Sequence, residues 1–104
     1  MIRKASKMKV FPEHYAEYKK RHDELWPEMK AMLKEHGARD YSIFLDEQTG
    51  YLFAYVVIES EEKWGAAAQT EACQKWWAYM KDIMETNEDN SPKSWELKEV
   101  FYLE

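Results

Sequence analysis

The 104-residue chain has one cysteine, three glycines and three prolines, and each shortage narrows what it can be. A lone Cys73 allows no internal disulfide and suits a reducing cytoplasm. Three glycines cannot build a glycine-rich phosphate loop, and no serine sits in a nucleophile-elbow motif. None of the three histidines has a zinc-type partner: His14 and His22 lie eight residues apart, roughly 12 Å along a helix, and His36 is further still. No metal site is expected. Positive charge is also scarce, with 15 Lys and Arg against 20 Asp and Glu, a net charge of −5. That argues against nucleic acid, which is held by clustered basic side chains. The one basic run, Lys19-Lys20-Arg21, reads as a solvated helix face. No apolar stretch approaches the roughly 18 residues of a membrane span, and Met1-Ile2-Arg3-Lys4 leads into no secretory signal. The expectation is a cytoplasmic protein.

What is plentiful is aromatic. Hydrophobic residues make up 45% of the chain and aromatics 15%, with five Trp and seven Tyr. That is more than a small core needs, and it points to a pocket or a subunit interface. The length fits one domain, residues 1–104, able to bury a core with little to spare.

Periodicity sets out the elements. Residues 2–10 read as a strand. A helical stripe follows from Pro12 to about His36, with Tyr15, Tyr18, His22, Leu25, Met29, Met32 and His36 spaced by threes and fours on one face. Pro27 interrupts it and predicts a kink or break near Asp23–Trp26; Gly37 is a natural stop. Residues 38–46 and 51–58 alternate as two strands of a hairpin, the second apolar on both faces, as a central strand is. Ser60 caps a short helix through Trp64 and Ala66–Ala68. Thr70 caps a stronger one with the stripe Cys73, Trp76, Trp77, Met80, Ile83 and Met84. A polar loop, Thr86–Pro92, leads to a last strand at 95–103. The order β-α-β-β-α-β is the ferredoxin-like, split βαβ pattern of an α+β fold: a four-stranded antiparallel sheet with helices on one face. The other face also carries apolar residues and needs cover. A second copy is the simplest, giving a homodimeric α/β barrel.

His22 is the residue in this pattern best suited to chemistry. It should point inward, with Tyr18 one turn before it and Trp26 one turn after. An imidazole near neutral pKa between aromatic rings suits proton transfer on a small polar ring compound. The commoner role of such a histidine is packing with a satisfied hydrogen bond. Trp76 and Trp77 cover a broad arc of their helix; both can be core, or one can floor a pocket whose flat ring suits a sugar. Tyr41 should share the interior of Ile43 and Leu45.

The segments Glu17-Tyr18-Lys19-Lys20-Arg21-His22, Leu25-Trp26-Pro27-Glu28, Cys73-Gln74-Lys75-Trp76-Trp77, Asn87-Glu88-Asp89-Asn90-Ser91-Pro92 and Glu99-Val100-Phe101-Tyr102-Leu103 closely resemble the L-rhamnose mutarotase family. The likeness runs over nearly the whole chain, and the Trp pair followed by the Asn/Asp/Ser/Pro loop is its specific part. The resemblance implies a cytoplasmic homodimer that interconverts the α and β anomers of L-rhamnose without a cofactor. It implies His22 as proton donor, and substrate contacts at Tyr18, Tyr41, Trp76 and Trp77. Donation is expected at the ring oxygen; the base is open among a tyrosine, a carboxylate and a bound water. Two other readings compete: a dimeric α/β-barrel monooxygenase acting on haem or a quinol, and a non-catalytic binding module with His22 and the Trp pair in its core.

Overall fold

The computed structural model describes residues 1–104, in the order β1 (Ile2–Lys9), α1 (Tyr15–Asp23), α2 (Pro27–Glu35), β2 (Arg39–Leu45), β3 (Tyr51–Ile58), α3 (Glu61–Ala66), α4 (Glu71–Met80) and β4 (Trp95–Leu97). Single 3₁₀ turns lie at Pro12–His14 and Ala67–Gln69. The strands form one antiparallel sheet in the order β2-β3-β1-β4. This is the ferredoxin-like arrangement that the element order implied. No helix is long and apolar enough to cross a membrane.

β3 is central, as its two apolar faces require. Leu52, Ala54, Val56 and Ile58 are buried under the helices. Leu52 and Ala54 share one core cluster with Met8 and Val10 of the first strand segment, Met29 and Met32 of α2, and Cys73, Trp76 and Met80 of α4. Ser60 and Thr70 cap α3 and α4, accepting from the Lys63 and Cys73 N–H groups at 3.1 and 3.2 Å.

The break expected near Asp23–Trp26 divides the stripe into two helices: α1 ends at Asp23, and Pro27 opens α2 at its first turn, where its missing N–H costs nothing. Three local expectations change. Across this break Trp26 is not one helical turn beyond His22. α4 stops at Met80, yet Ile83 and Met84 are still buried, because Met84 bridges Val10 across the end of the sheet. The last strand is three residues long, not 95–103. Pairing ends with Leu97 opposite Ala5; on the same register residues 98–100 still lie beside β1, and residues 101–103 run past its start at Ile2. Beyond β4, Arg3 binds Glu99 at 2.8 Å and lies 3.5 Å from the Tyr102 ring centre, while Val100, Phe101 and Leu103 stand exposed.

The face away from the helices is open and carries aromatic rings beside the basic side chains of β1. Register carries Phe44, Phe53, Lys7 and Trp95 across all four strands in one row. Phe44 is 68% exposed and Trp95 46%.

The β2–β3 hairpin depends on Gly50. Its φ is +83°, and a Cβ there would stand 2.8 Å from the Val10 carbonyl oxygen, the strand that donates its own N–H to the Gly50 carbonyl at 2.9 Å. Backbone cannot yield as a side chain can. Gly50→Ala is expected to destabilise the fold by roughly 2 kcal/mol or more. A lower denaturant midpoint at unchanged slope would record it.

Candidate active site

A cavity of about 1040 Å³ opens between the helices and the sheet. His22, Tyr18, Tyr41, Trp76 and Trp77 all line it, so the five residues singled out from the sequence meet in one place. They come from three elements. α1 supplies Tyr18 and His22 from consecutive turns. α4 supplies the Trp pair. β2 supplies Tyr41 through an irregularity: one extra residue between Arg39 and Ser42 breaks the register, and Asp40 takes a φ of +50°. A β-bulge of this kind re-aims a side chain.

His22 is held on two sides. The Tyr18 ring stacks on it, with centres 4.4 Å apart and planes 28° from parallel. Trp76 meets it edge-on at 5.3 Å. Trp26, expected beside His22, instead packs against Trp76 and Tyr79, because the helix break carries it out of the stack. Trp76 is therefore both core, at 6% exposure, and cavity wall.

The hydrogen bonding of His22 defines which of its atoms can work. Nδ1 lies 3.0 Å from the Tyr18 carbonyl oxygen. A carbonyl only accepts, so Nδ1 carries the proton and Nε2 is the free position. No buried side-chain nitrogen or oxygen lacks a partner. Nε2 and the Tyr18 hydroxyl make no hydrogen bond to protein, so both open onto the cavity. Burial lowers the His22 pKa from its ordinary value; the bond to the Tyr18 carbonyl and the nearby Asp23 oppose this less strongly. The ring is neutral at pH 7, with a lone pair on Nε2.

The phenols are neutral as well. Burial raises the pKa of Tyr18 and of Tyr41. Tyr41 is 41% exposed overall, and its side chain lines the cavity. Burial pushes the Cys73 thiol up to about 11. No three His, Cys, Asp or Glu side chains come together closely enough to share a metal ion.

Several participants were missed in the sequence. Trp64 packs edge-on against Tyr41 at 6.1 Å and lines the cavity. Five of the six methionines (Met8, Met29, Met32, Met80 and Met84) form an apolar wall. Arg21 is not a solvated helix residue: its side chain is only 10% exposed. It donates to the Tyr79 carbonyl at 2.6 Å and to Asp82 at 3.0 Å, clipping α1 to the end of α4. The Asn87–Pro92 loop is braced by the Thr86–Pro92 bridge, the Asn87–Ser91 bonds and a contact of Ser91 with Asp89. Asn90 and Pro92 reach the cavity rim. The helical stripes could find Arg21 only as a face, because its partners lie 58 and 61 residues away.

Fold and site together define a small ferredoxin-like α+β protein with a histidine-centred, aromatic-walled cavity between helices and sheet. Solved structures share the architecture broadly: one described as a putative antibiotic biosynthesis monooxygenase from Nitrosomonas europaea covers 95% of this chain and 89% of its own, with a TM-score of 0.65 at 12% identity. That likeness shows the fold alone. The family is shown by sequence. A family model described as L-rhamnose mutarotase matches residues 3–103. Proteins named L-rhamnose mutarotase from Tolumonas auensis and Shouchella clausii are 65% and 62% identical, over 99% of this chain and 99% of theirs. The crystal structure of an L-rhamnose mutarotase from Formosa agariphila, 47% identical, superposes over the full length of both chains with a TM-score of 0.92. The chain belongs to the L-rhamnose mutarotase family.

Proposed function

We propose that this protein is an isomerase that interconverts the α and β anomers of L-rhamnose by opening the pyranose ring and reclosing it on the other face of C1. The observation that carries the reading is His22, with Nδ1 tied to the Tyr18 carbonyl and Nε2 open to the cavity. Anomer exchange needs a proton moved at the ring oxygen and another at the C1 hydroxyl, in both directions, and imidazole works in both near neutral pH. Because the neutral ring offers a lone pair at Nε2, His22 enters the opening step as the base on the C1 hydroxyl and acts as donor on closing. This assignment is part of the proposal and differs from the expected donation at the ring oxygen. Tyr18 and Tyr41 hold hydroxyls, Trp76 and Trp77 face the apolar side of the sugar, and the methionine wall suits the methyl group of a deoxy sugar. No step needs a cofactor.

The test is saturation-transfer NMR on L-rhamnose at anomeric equilibrium. Saturating one anomeric proton should diminish the other when a trace of protein is added. Absence of transfer would discard the reading. The monooxygenase alternative is not favoured, since it shares only the fold.

The same reading makes the protein a cytoplasmic homodimer. The row Phe44, Phe53 and Trp95 and the tail residues Val100, Phe101 and Leu103 are apolar and exposed in one copy, and a second copy would cover them. Light scattering should give twice the mass of the 104-residue chain, and Phe101→Asp with Phe44→Asp should shift it toward the monomer.

A further inference from the structure

Opening a pyranose requires two groups at once, one for each oxygen bonded to C1. Those oxygens are neighbours, so the groups serving them must be neighbours too. The geometry points to Tyr18 as the second proton carrier, forming with His22 a bifunctional acid–base pair on the two oxygens of C1; this rests on the mutarotase reading. Tyr18 and His22 stand on consecutive turns of one helix with rings stacked at 4.4 Å. The Tyr18 residue is buried, at 8% exposure, yet its hydroxyl has no protein partner, and Tyr18 and His22 line the same cavity.

The other titratable groups of the cavity are worse placed. The Asp23 carboxylate is exposed and held by the Lys19 ammonium at 2.9 Å. Glu47 is an exposed hairpin residue whose carbonyl accepts from Tyr15. Tyr41 packs against Trp64, and Cys73 is on α4; neither stacks on His22.

The steps balance. The Tyr18 hydroxyl gives its proton to the ring oxygen as the C1–O bond breaks, and that bond's electron pair stays on the ring oxygen. The C1 hydroxyl gives its proton to Nε2 of His22, and the O–H pair becomes the second bond of the aldehyde. The protein then holds an adjacent phenolate and imidazolium, with no net change of charge. After rotation about C1–C2 the free hydroxyl adds to the other face of the aldehyde. Its proton returns to the phenolate, and His22 returns its own to the former carbonyl oxygen. Nothing is oxidised or reduced. Burial supports this cycle by keeping both groups neutral before the sugar arrives.

Tyr18→Phe keeps the stacked ring and removes only the proton. Exchange at saturating L-rhamnose should fall about 100-fold or more, a larger factor than the rise in the sugar's Kd from the lost contact. A loss confined to binding, or exchange within about threefold of wild type, would overturn the proposal. A second measurement uses the unaltered protein. Plotted against the deuterium fraction of the solvent, the rate should curve, as two protons moving together require. A straight line, one proton in flight, would overturn the pairing even if the variant failed to fold. Absence of exchange with the wild-type protein would instead remove the mutarotase reading on which the pairing rests.

Discussion

His22→Ala should lower anomer exchange by about 10² to 10⁴, the range that a positioned acid–base group contributes, with the far-UV spectrum unchanged. The imidazole stacks on Tyr18 and meets Trp76 edge-on but is not part of the buried core cluster, so its loss leaves the main core intact. Saturation transfer in L-rhamnose would record the fall, and exchange at the wild-type rate would remove His22 from the chemistry. The wild-type rate should also depend on pH with a definite sign. Burial holds the His22 pKa below 6.5, so the rate should be level through neutral pH and decline only as Nε2 protonates on the acid side. The groups around it do not blur this profile. Tyr18, Tyr41 and Cys73 have raised pKa values and stay neutral. Stability follows the same sign. The unfolded chain takes up the proton first, so the contribution of neutral His22 is complete above 6.5 and is lost as pH falls toward its lower folded value.

Trp76→Ala should have the largest effect on stability, about 3–5 kcal/mol, because it removes a buried aromatic side chain and leaves a cavity. For a chain of this size that is a fall in Tm on the order of 15–30 °C, read by calorimetry. Activity should fall as well, since Trp76 forms the edge-on wall of His22 and anchors Trp26 at 5.0 Å. Trp76→Phe, which keeps an aromatic edge, should recover much of the Tm. A Trp76→Ala protein that melted within a few degrees of wild type would show that Trp76 is peripheral to the core.

Much of this architecture was legible because local periodicity reports which face an element buries. The stripe through Tyr18, Met29 and Met32 found the buried side of two helices, and Pro27 found the break between them. The double apolar face of 51–58 found the central strand. The end of the last strand was not legible. Residues 98–103 alternate as a strand would, but β1 extends beside residues 98–100 alone, which is a property of register. Arg21 was misread for a related reason. Three consecutive basic residues resemble a solvated face, and only the approach of Asp82 and the Tyr79 carbonyl turns one of them inward.

The sequence by itself determined the order and kind of the elements, the negative charge that disfavours nucleic acid, the aromatic stripe with His22 in it, and the family likeness. These follow from side-chain spacing along the chain, where neighbours in sequence are neighbours in space. Tertiary structure alone decided what the cavity can do. It brought Tyr41 in from β2 through the bulge at Asp40, and set the Trp76 edge against His22 from 54 residues away. It also tied Nδ1 to a carbonyl so that Nε2 is the free atom. Those relations depend on distances between separate elements and on burial, which packing creates and spacing along a chain does not encode.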